Sequence, residues 1–359
     1  MKWSYTIGRV AGTDIKVHLT FLILVGWWAW MGYQEGGSAS ALLAALSLLA
    51  LFACVLLHEF GHILMARRFG VRTPDVILLP IGGVARLERI PDEPRKELLI
   101  AIAGPAVTLA IALVLYLILT VTEGGPPRLG TLNPDDPFLA FLMKVNVFLL
   151  LFNLIPAFPM DGGRVLRAIL ASRLGMVRGT RAAATLGQIL AVTGGLYGLT
   201  MGAPLLVLVA FFVFIGASSE ATAVETRAAG EGLRVSHMMV TEFRTIPVHA
   251  TLSQAVELLL SGEQREFPAV DNLGRTEGIL TRDNLIRGLN QRGPSSTVGE
   301  AMTTGAPAIA PTLGFQEALD RLRTSGLPAL PVVDAGGGLV GLLTMDNITD
   351  LLLVRRAGR

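Results

Sequence analysis

Over the first 222 residues, long uncharged apolar runs alternate with polar segments, and then the alternation stops. The runs lie near 17–33, 40–57, 98–122, 138–156, 184–201 and 203–219. Each is close to the roughly 20 residues that a helix needs to cross a bilayer. The pattern predicts six membrane-spanning helices with both termini on one side. The residues before the first run alternate like strands, so that run is not a cleavable signal peptide. Trp27, Trp28 and Trp30 sit where a membrane-interface belt forms. The segment 77–85 is apolar but too short to span, and its flanks also alternate. It predicts β structure, either an ordinary surface hairpin or an element associated with the membrane.

From residue 223 the pattern turns soluble and repeats with a period of 63 residues. Val235-Ser236-His237-Met238-Met239 matches Val298-Gly299-Glu300-Ala301-Met302. Phe267-Pro268-Ala269-Val270-Asp271 matches Leu330-Pro331-Val332-Val333-Asp334. Each copy predicts a short strand, a helix (Leu252–Leu260; Phe315–Ser325), two strands around a Gly-rich turn and a second helix. Two copies of one α/β unit imply a pseudo-symmetric pair. The expected organisation is a transmembrane domain over 1–222, a linker over 223–233, and repeats over 234–293 and 297–356. The fold class is a six-helix membrane domain with a short β element, followed by a soluble α/β pair.

Composition agrees with this division. The chain of 359 residues is 52% hydrophobic and 16% charged, with a mean hydropathy of +0.57. That excludes a disordered, collagenous or small disulfide-rich protein. Cys54 is the single cysteine, so no intrachain disulfide forms. A net charge of +2 gives no reason to expect nucleic-acid binding. The segment after the second run carries Arg67, Arg68, Arg72, Arg86, Arg89, Arg95 and Lys96; the one after the fourth carries Arg164, Arg167, Arg173, Arg178 and Arg181. The opposite loops carry only Arg128, which puts both termini in the cytoplasm. Lys144 breaks the pattern inside the fourth run and reads as snorkelling toward the outer interface.

The candidate chemistry lies at the end of the second run, in His58-Glu59-Phe60-Gly61-His62. Residues i and i+4 share a helix face, so both imidazoles can accept one zinc ion. Glu59 is placed to serve as general base. Ionisable residues at the end of a membrane span are costly unless used. Zinc requires a third protein ligand. His18 reads as a hydrogen-bonded interface residue. Glu123, Asp135 and Asp136 belong to the outer loop, while Glu88, Asp92, Glu93 and Glu97 read as a solvated inner loop. Asp161 remains, in Asn153-Leu154-Ile155-Pro156-Ala157-Phe158-Pro159-Met160-Asp161-Gly162-Gly163-Arg164. The second and fourth spans run in the same direction, so the pentapeptide and Asp161 reach similar depth. The prolines and glycines are expected to break the helix there, which is tolerated where backbone lines a cavity. Cys54, one turn before His58, reads as packing. His237 and His249 read as ordinary surface histidines.

These two motifs together resemble the site-2 protease family of intramembrane zinc metalloproteases, in the branch with C-terminal cystathionine-β-synthase-type (CBS) repeats. The resemblance implies one Zn²⁺ per chain held by His58, His62 and Asp161, with Glu59 as general base. It implies that Asn153 positions the scissile carbonyl or its oxyanion; the alternative for Asn153 is a hydrogen bond between helices. In Ala103-Gly104-Pro105-Ala106-Val107-Thr108 the family often has Asn where Thr108 stands, so the hydrogen bond that Asn makes to substrate or a neighbouring helix is altered or absent here. The 77–85 segment becomes a membrane-dipping β element whose edge pairs with an unwound substrate.

CBS pairs often bind adenosine nucleotides and often associate, so a nucleotide in the cleft and a homodimer are further expectations. In the repeats a Thr/Ser is followed three residues later by an Asp that holds ribose. Here Thr281 is followed by Asn284 and Thr344 by Asn347, with Asp283 and Asp346 one residue early. A docking module without nucleotide is the alternative. The resulting expectation is a multi-pass protease of the cell (inner) membrane acting on a transmembrane protein substrate. Its rivals are a CBS-gated transporter, which would spread ionisable residues along a midplane path, and a metal-free scaffold that binds membrane substrates.

Overall fold

The computed structural model describes residues 3–80, 82–85, 93–123, 127, 130 and 136–357. The chain divides into two compact units, Met1–Val224 and Glu225–Arg359.

The first unit opens on a β-hairpin. Strands β1 (Ser4–Val10) and β2 (Thr13–His18) pair antiparallel across the turn residues Ala11 and Gly12, at φ of 46° and 69°. Positive φ at both central residues gives the turn whose twist matches its strands. Strand β3 (Asp75–Leu79) runs parallel to β2, and β4 (Gly82–Ala85) antiparallel to β3. The sheet order is β1-β2-β3-β4, which leaves β4 at one edge.

Helix α1 (Leu19–Arg68) fills the crossover between β2 and β3 and is not one rod. Gly36 and Gly37 leave helical geometry, Gly37 with φ of 71° and ψ of −157°. A straight helix would separate residues 32 and 44 by about 18 Å. Instead a Cβ built on Gly32 would stand 2.8 Å from Ala44 Cβ. The rings of Phe21 and Phe52 lie 4.5 Å apart. The chain therefore reverses at Gly36 and Gly37, and the two arms run antiparallel. Glycine adopts the positive φ of that turn without a Cβ penalty.

Five helices complete the unit: α2 (Pro94–Glu123), α3 (Phe138–Asn153), α4 (Asp161–Leu174), α5 (Met176–Thr200) and α6 (Pro204–Ala229). Among the described residues four helices are long and apolar enough to cross a membrane: α1, α2, α5 and α6. The folded α1 supplies two of the expected runs, and α3 is apolar but only 16 residues long. Exposed Leu113, Val121, Leu196, Leu205 and Phe211 give these helices apolar outer faces. Small residues set the α5–α6 contact, where Cβ atoms on Gly195 and Gly198 would meet Ala210 and Val207 at 3.3 and 3.1 Å.

The segment between the fourth and fifth runs departs from expectation. It is not a charged loop, because α4 occupies it and Arg178 and Arg181 already belong to α5. The helix does break there, between Asn153 and Asp161, and Gly162 and Gly163 lie just past the break, in the first turn of α4. Cβ atoms there would lie 2.3 Å from the Ile155 carbonyl oxygen and 2.5 Å from the Ala157 carbonyl carbon. These glycines allow α4 to start directly against the loop that precedes it.

In the second unit the period of 63 residues is visible in the hydrogen bonds. Strands β5 (Ile246–Pro247), β6 (Glu266–Val270), β7 (Thr276–Thr281) and β8 (Thr303–Thr304) form one sheet, with helices α7 (Leu252–Leu260) and α8 (Arg282–Arg292). The second copy follows the short α9 (Val298–Ala301) with α10 (Phe315–Ser325), β9 (Ala329–Val333), β10 (Leu339–Thr344) and α11 (Met345–Ala357). Both predicted helices have the expected bounds. Each copy has its own core, around Leu252, Phe267 and Leu280 in the first and Phe315, Leu330 and Leu343 in the second. Ile279, Ala329 and Leu342 pack between them. Each sheet is also joined by the other copy, the first by the strand β8 and the second by a single bridge. Thr303, which opens the second copy, pairs with Ile279 of β7, and Val240 pairs with Leu342 of β10. The stretch expected as a linker, 223–233, contains the last turns of α6.

Candidate metal centre

The site is built where the second arm of α1 crosses α2. A Cβ on Gly61 would stand 2.6 Å from the Ala103 carbonyl oxygen, so the two backbones touch. A Cβ on Gly104 would stand 2.1 Å from His62 Nε2 and 2.8 Å from His58 Nε2. Glycine at 104 is therefore the floor on which both rings lie. The rings are 4.8 Å apart, centroid to centroid.

Helix α2 also aims the rings. His62 Nδ1 lies 2.7 Å from the Ile100 carbonyl oxygen. A carbonyl only accepts, so that nitrogen carries the hydrogen and Nε2 of the neutral ring presents a lone pair. His58 Nδ1 lies 2.8 Å from the Thr108 hydroxyl, which leaves its Nε2 facing the same point. Asp161, the first residue of α4, enters from the other side. Its Oδ2 lies 3.1 Å from His58 Nε2 and 3.2 Å from His62 Nε2, and the two Nε2 atoms are 3.1 Å apart. All three residues are buried.

Three electron-pair donors facing one another repel unless a cation lies among them. Their separations fit one: a tetrahedral zinc with ligands at about 2.0–2.1 Å has ligand–ligand edges of about 3.3 Å. Second contacts that fix the tautomer of each ring are what metal-ligating histidines have. His58, His62 and Asp161 form the only such group of His, Cys, Asp or Glu among the described residues.

A cavity of about 660 Å³ opens beside this cluster. Glu59 lines it and packs under β4, where a Cβ on Gly83 would stand 2.8 Å from Glu59 Cγ. Asn153, the last residue of α3, lines it too; among the described residues its side chain makes no hydrogen bond, so the alternative of a bond between helices is not seen. Arg164, one turn into α4, borders the same space. The structure thus brings together all five residues singled out in the two motifs.

The other candidates lie elsewhere. His18 caps α1 and pairs with Thr20. Lys144 Nζ lies 2.7 Å from Oδ2 of Asp136, the residue read as part of the outer loop, so the side chain ends in an ion pair. Cys54 is buried with Leu115 and Met143 and also borders the cavity. Glu93 is exposed and pairs with Lys96. Glu88, Asp92 and Asp135 lie outside the described residues. Glu97 corrects the expectation of a solvated loop: it stands in the first turn of α2, 4% exposed, paired with Arg167. Sequence reasoning missed Ile100 and singled out the stretch with Gly104 and Thr108 without tying it to the histidine rings. Their signal was the spacing 97, 100, 104, 108, one face of one helix.

In the second unit, Thr281 and Thr344 cap helices by accepting from Asn284 and Asn347 backbone N–H groups, both at 3.1 Å. The Asn284 amide donates to Thr303 Oγ1 at 2.9 Å, and the Asn347 amide to the Met238 carbonyl at 2.6 Å. A cleft of about 1260 Å³ borders Arg244, Arg265, Glu266, Thr344 and Asp346.

Comparison with known proteins follows the same division. The family model described as Peptidase family M50 matches residues 46–135 and 135–195, and the CBS domain model matches 235–291 and 298–354. Zinc metalloprotease MJ0392 of Methanocaldococcus jannaschii is 33% identical over 79% of this chain and 80% of its own. A Mycobacterium tuberculosis protein, Rip3, whose name includes the words zinc metalloprotease, is 29% identical over 99% of this chain and 94% of its own. The solved site-2 protease from Methanocaldococcus jannaschii is 39% identical over 61% of this chain and 95% of that one, with a TM-score of 0.45.

Proposed function

Because the chain belongs to peptidase family M50, as a site-2-protease-like zinc metalloprotease that carries a CBS pair, we propose that it cuts a peptide bond in or near the transmembrane segment of a membrane-protein substrate. One observation carries the reading: Nε2 of His58, Nε2 of His62 and Oδ2 of Asp161 converge at ligand spacing. In this reading the chain crosses the cell membrane six times, with the two arms of α1 counted separately and α3 as the fourth span. Both termini and the CBS pair lie in the cytoplasm, in line with the arginine-rich segments on that side.

His58, His62 and Asp161 would hold the zinc ion. Bound zinc supplies Lewis acidity and lowers the pKa of a coordinated water. The chain's own residues do the rest. Glu59 takes the proton from the attacking water and passes it to the leaving amine. The Asn153 amide donates to the oxygen on which negative charge develops. β4 offers a sheet edge beside Glu59, unpaired among the described residues, to which an extended substrate adds as a strand. That matters because a helical substrate hides its scissile carbonyl in the i to i−4 hydrogen bond.

The test is zinc content of the detergent-purified chain, wild type beside His58→Ala and Asp161→Ala. About one zinc per wild-type chain, lost in both variants, is expected, and Glu59→Gln should keep the metal while cleaving nothing. A wild-type chain that takes up no zinc after resupply overturns the ligand set.

A further inference from the structure

Arg167 is 1% exposed and is among the largest fully buried side chains of the protein. A buried guanidinium is retained only with partners, and here three elements supply them. Its Nε donates to Glu97 Oε1 of α2 at 2.6 Å, and Nη2 reaches the same oxygen. Its Nη1 donates to Glu220 of α6. Its guanidinium carbon stands 5.1 Å from the centre of the Phe158 ring, in the loop that leads into α4.

The place of Glu97 gives this network its meaning. Glu97, Ile100, Gly104 and Thr108 are spaced 3, 4 and 4 residues apart on α2, hence on one face. Ile100 and Thr108 aim the two histidine rings, and Gly104 lies beneath them. Among the described residues Asp161 bonds to His58 and His62 and makes no bond to α2. It stands at the first residue of α4, and Arg167, six residues on, bonds α4 to Glu97 of the packed α2. Its arrangement is also poor as a purely stabilising device. Both of its contacts with Glu97 fall on one oxygen, and the other, Oε2, is buried with no partner among the described residues.

We propose that the Arg167–Glu97 pair is a positioning device for the metal centre. It references Asp161 to the helix face that already fixes His58 and His62. Glu220 and Phe158 shield the guanidinium and are secondary. The inference rests on the zinc reading above, and the two fail differently. A wild-type chain without zinc removes the zinc reading; a wild-type chain with zinc and insensitive variants removes only this one.

The experiment uses the full-length chain in detergent. Zinc affinity is measured by chelator competition, the visible spectrum is recorded with Co²⁺ in place of zinc, and the melting temperature of the metal-free protein is followed. Arg167→Met and Glu97→Gln should each weaken zinc about tenfold to a hundredfold, the range for residues that orient ligands. They should also alter the cobalt bands, because Asp161 is displaced. Arg167→Lys keeps the charge but loses the planar fork and should fall between. Glu220→Gln should change affinity less than threefold. If Arg167→Met fails to fold, the paired apolar replacement Arg167→Met with Glu97→Leu decides, since it removes both fully buried charges together and leaves only the partly exposed Glu220 without its partner. Wild-type affinity and cobalt spectrum in the foldable Arg167 variant overturn the proposal. So does an effect of Glu220→Gln as large as that of Glu97→Gln, which would make the network a general brace.

Discussion

At the scale of single residues, Thr108 and Gly104 separate binding a metal from merely resembling a site that does. The Thr108 hydroxyl is the partner of His58 Nδ1. Thr108→Val keeps the shape and removes that partner. Zinc affinity should fall about tenfold, with Thr108→Ser close to wild type, as chelator competition would show. Gly104→Ala is harsher, because its Cβ would stand 2.1 Å from His62 Nε2. It should abolish stoichiometric zinc while the protein still purifies as a folded species by size exclusion; normal zinc content would contradict the geometry. The histidines proposed as ligands were legible, since two histidines four apart beside a glutamate at the end of an apolar run have few other uses. Glu97 and Arg167 were not. Local composition made one look like a solvated loop residue and the other like a loop cation. Only the tertiary fold shows that they bury each other.

Elements were legible wherever hydrophobic length decides, and obscure where backbone geometry does. The runs near 17–33 and 40–57 are distinct in sequence, and the reversal at Gly36 and Gly37 explains how they remain distinct inside one helical stretch. Gly37→Ala forces a Cβ into φ of 71° and should destabilise the hairpin by roughly 1 kcal/mol. Gly26→Ala, inside the first arm with open space around it, should be neutral or slightly stabilising. Melting of the two variants in one detergent checks the contrast. Helix α4 escaped notice because its arginines look like loop charges. They recur at 164, 167 and 173 on a helix whose remaining positions are mostly apolar or small. Two glycines at its start looked like breakers, while their work is close approach to the carbonyls of Ile155 and Ala157.

At the scale of the whole molecule, the division into a membrane unit and a repeated soluble unit was plain from hydropathy and from the period of 63 residues. What the period could not reveal is which copy completes which sheet. The soluble unit also carries a pH signature. Burial, and after it the neighbouring Asp346 carboxylate, pushes the Glu266 carboxyl above its ordinary value. A carboxyl raised in the folded state binds protons more tightly there than in the unfolded chain. Its contribution is fully present below about pH 4 and is lost as pH rises through the folded value. Glu266→Gln should therefore raise the melting temperature of the soluble unit at pH 7, and the gain should vanish near pH 4. A gain that persists at pH 4 would place the effect elsewhere.

The exchange of strands between the two copies has a consequence for how the chain can be cut or inherited. Thr303 finishes the sheet of the copy before it, and Val240 finishes the sheet of the copy after it. The first copy's sheet is completed from the second, and the second's sheet is bridged from the first, so half of the pair is not a smaller version of the pair. A stop codon after residue 293 would remove the strand that closes β7 and strand Val240 without its partner, leaving two raw edges prone to pair with other chains. A duplication that produced this arrangement had value only once both halves were present, unless the ancestral single copy met a second chain and borrowed from it in the same way. The soluble unit is in that sense an intramolecular dimer, and its boundary with the outside world lies around the pair.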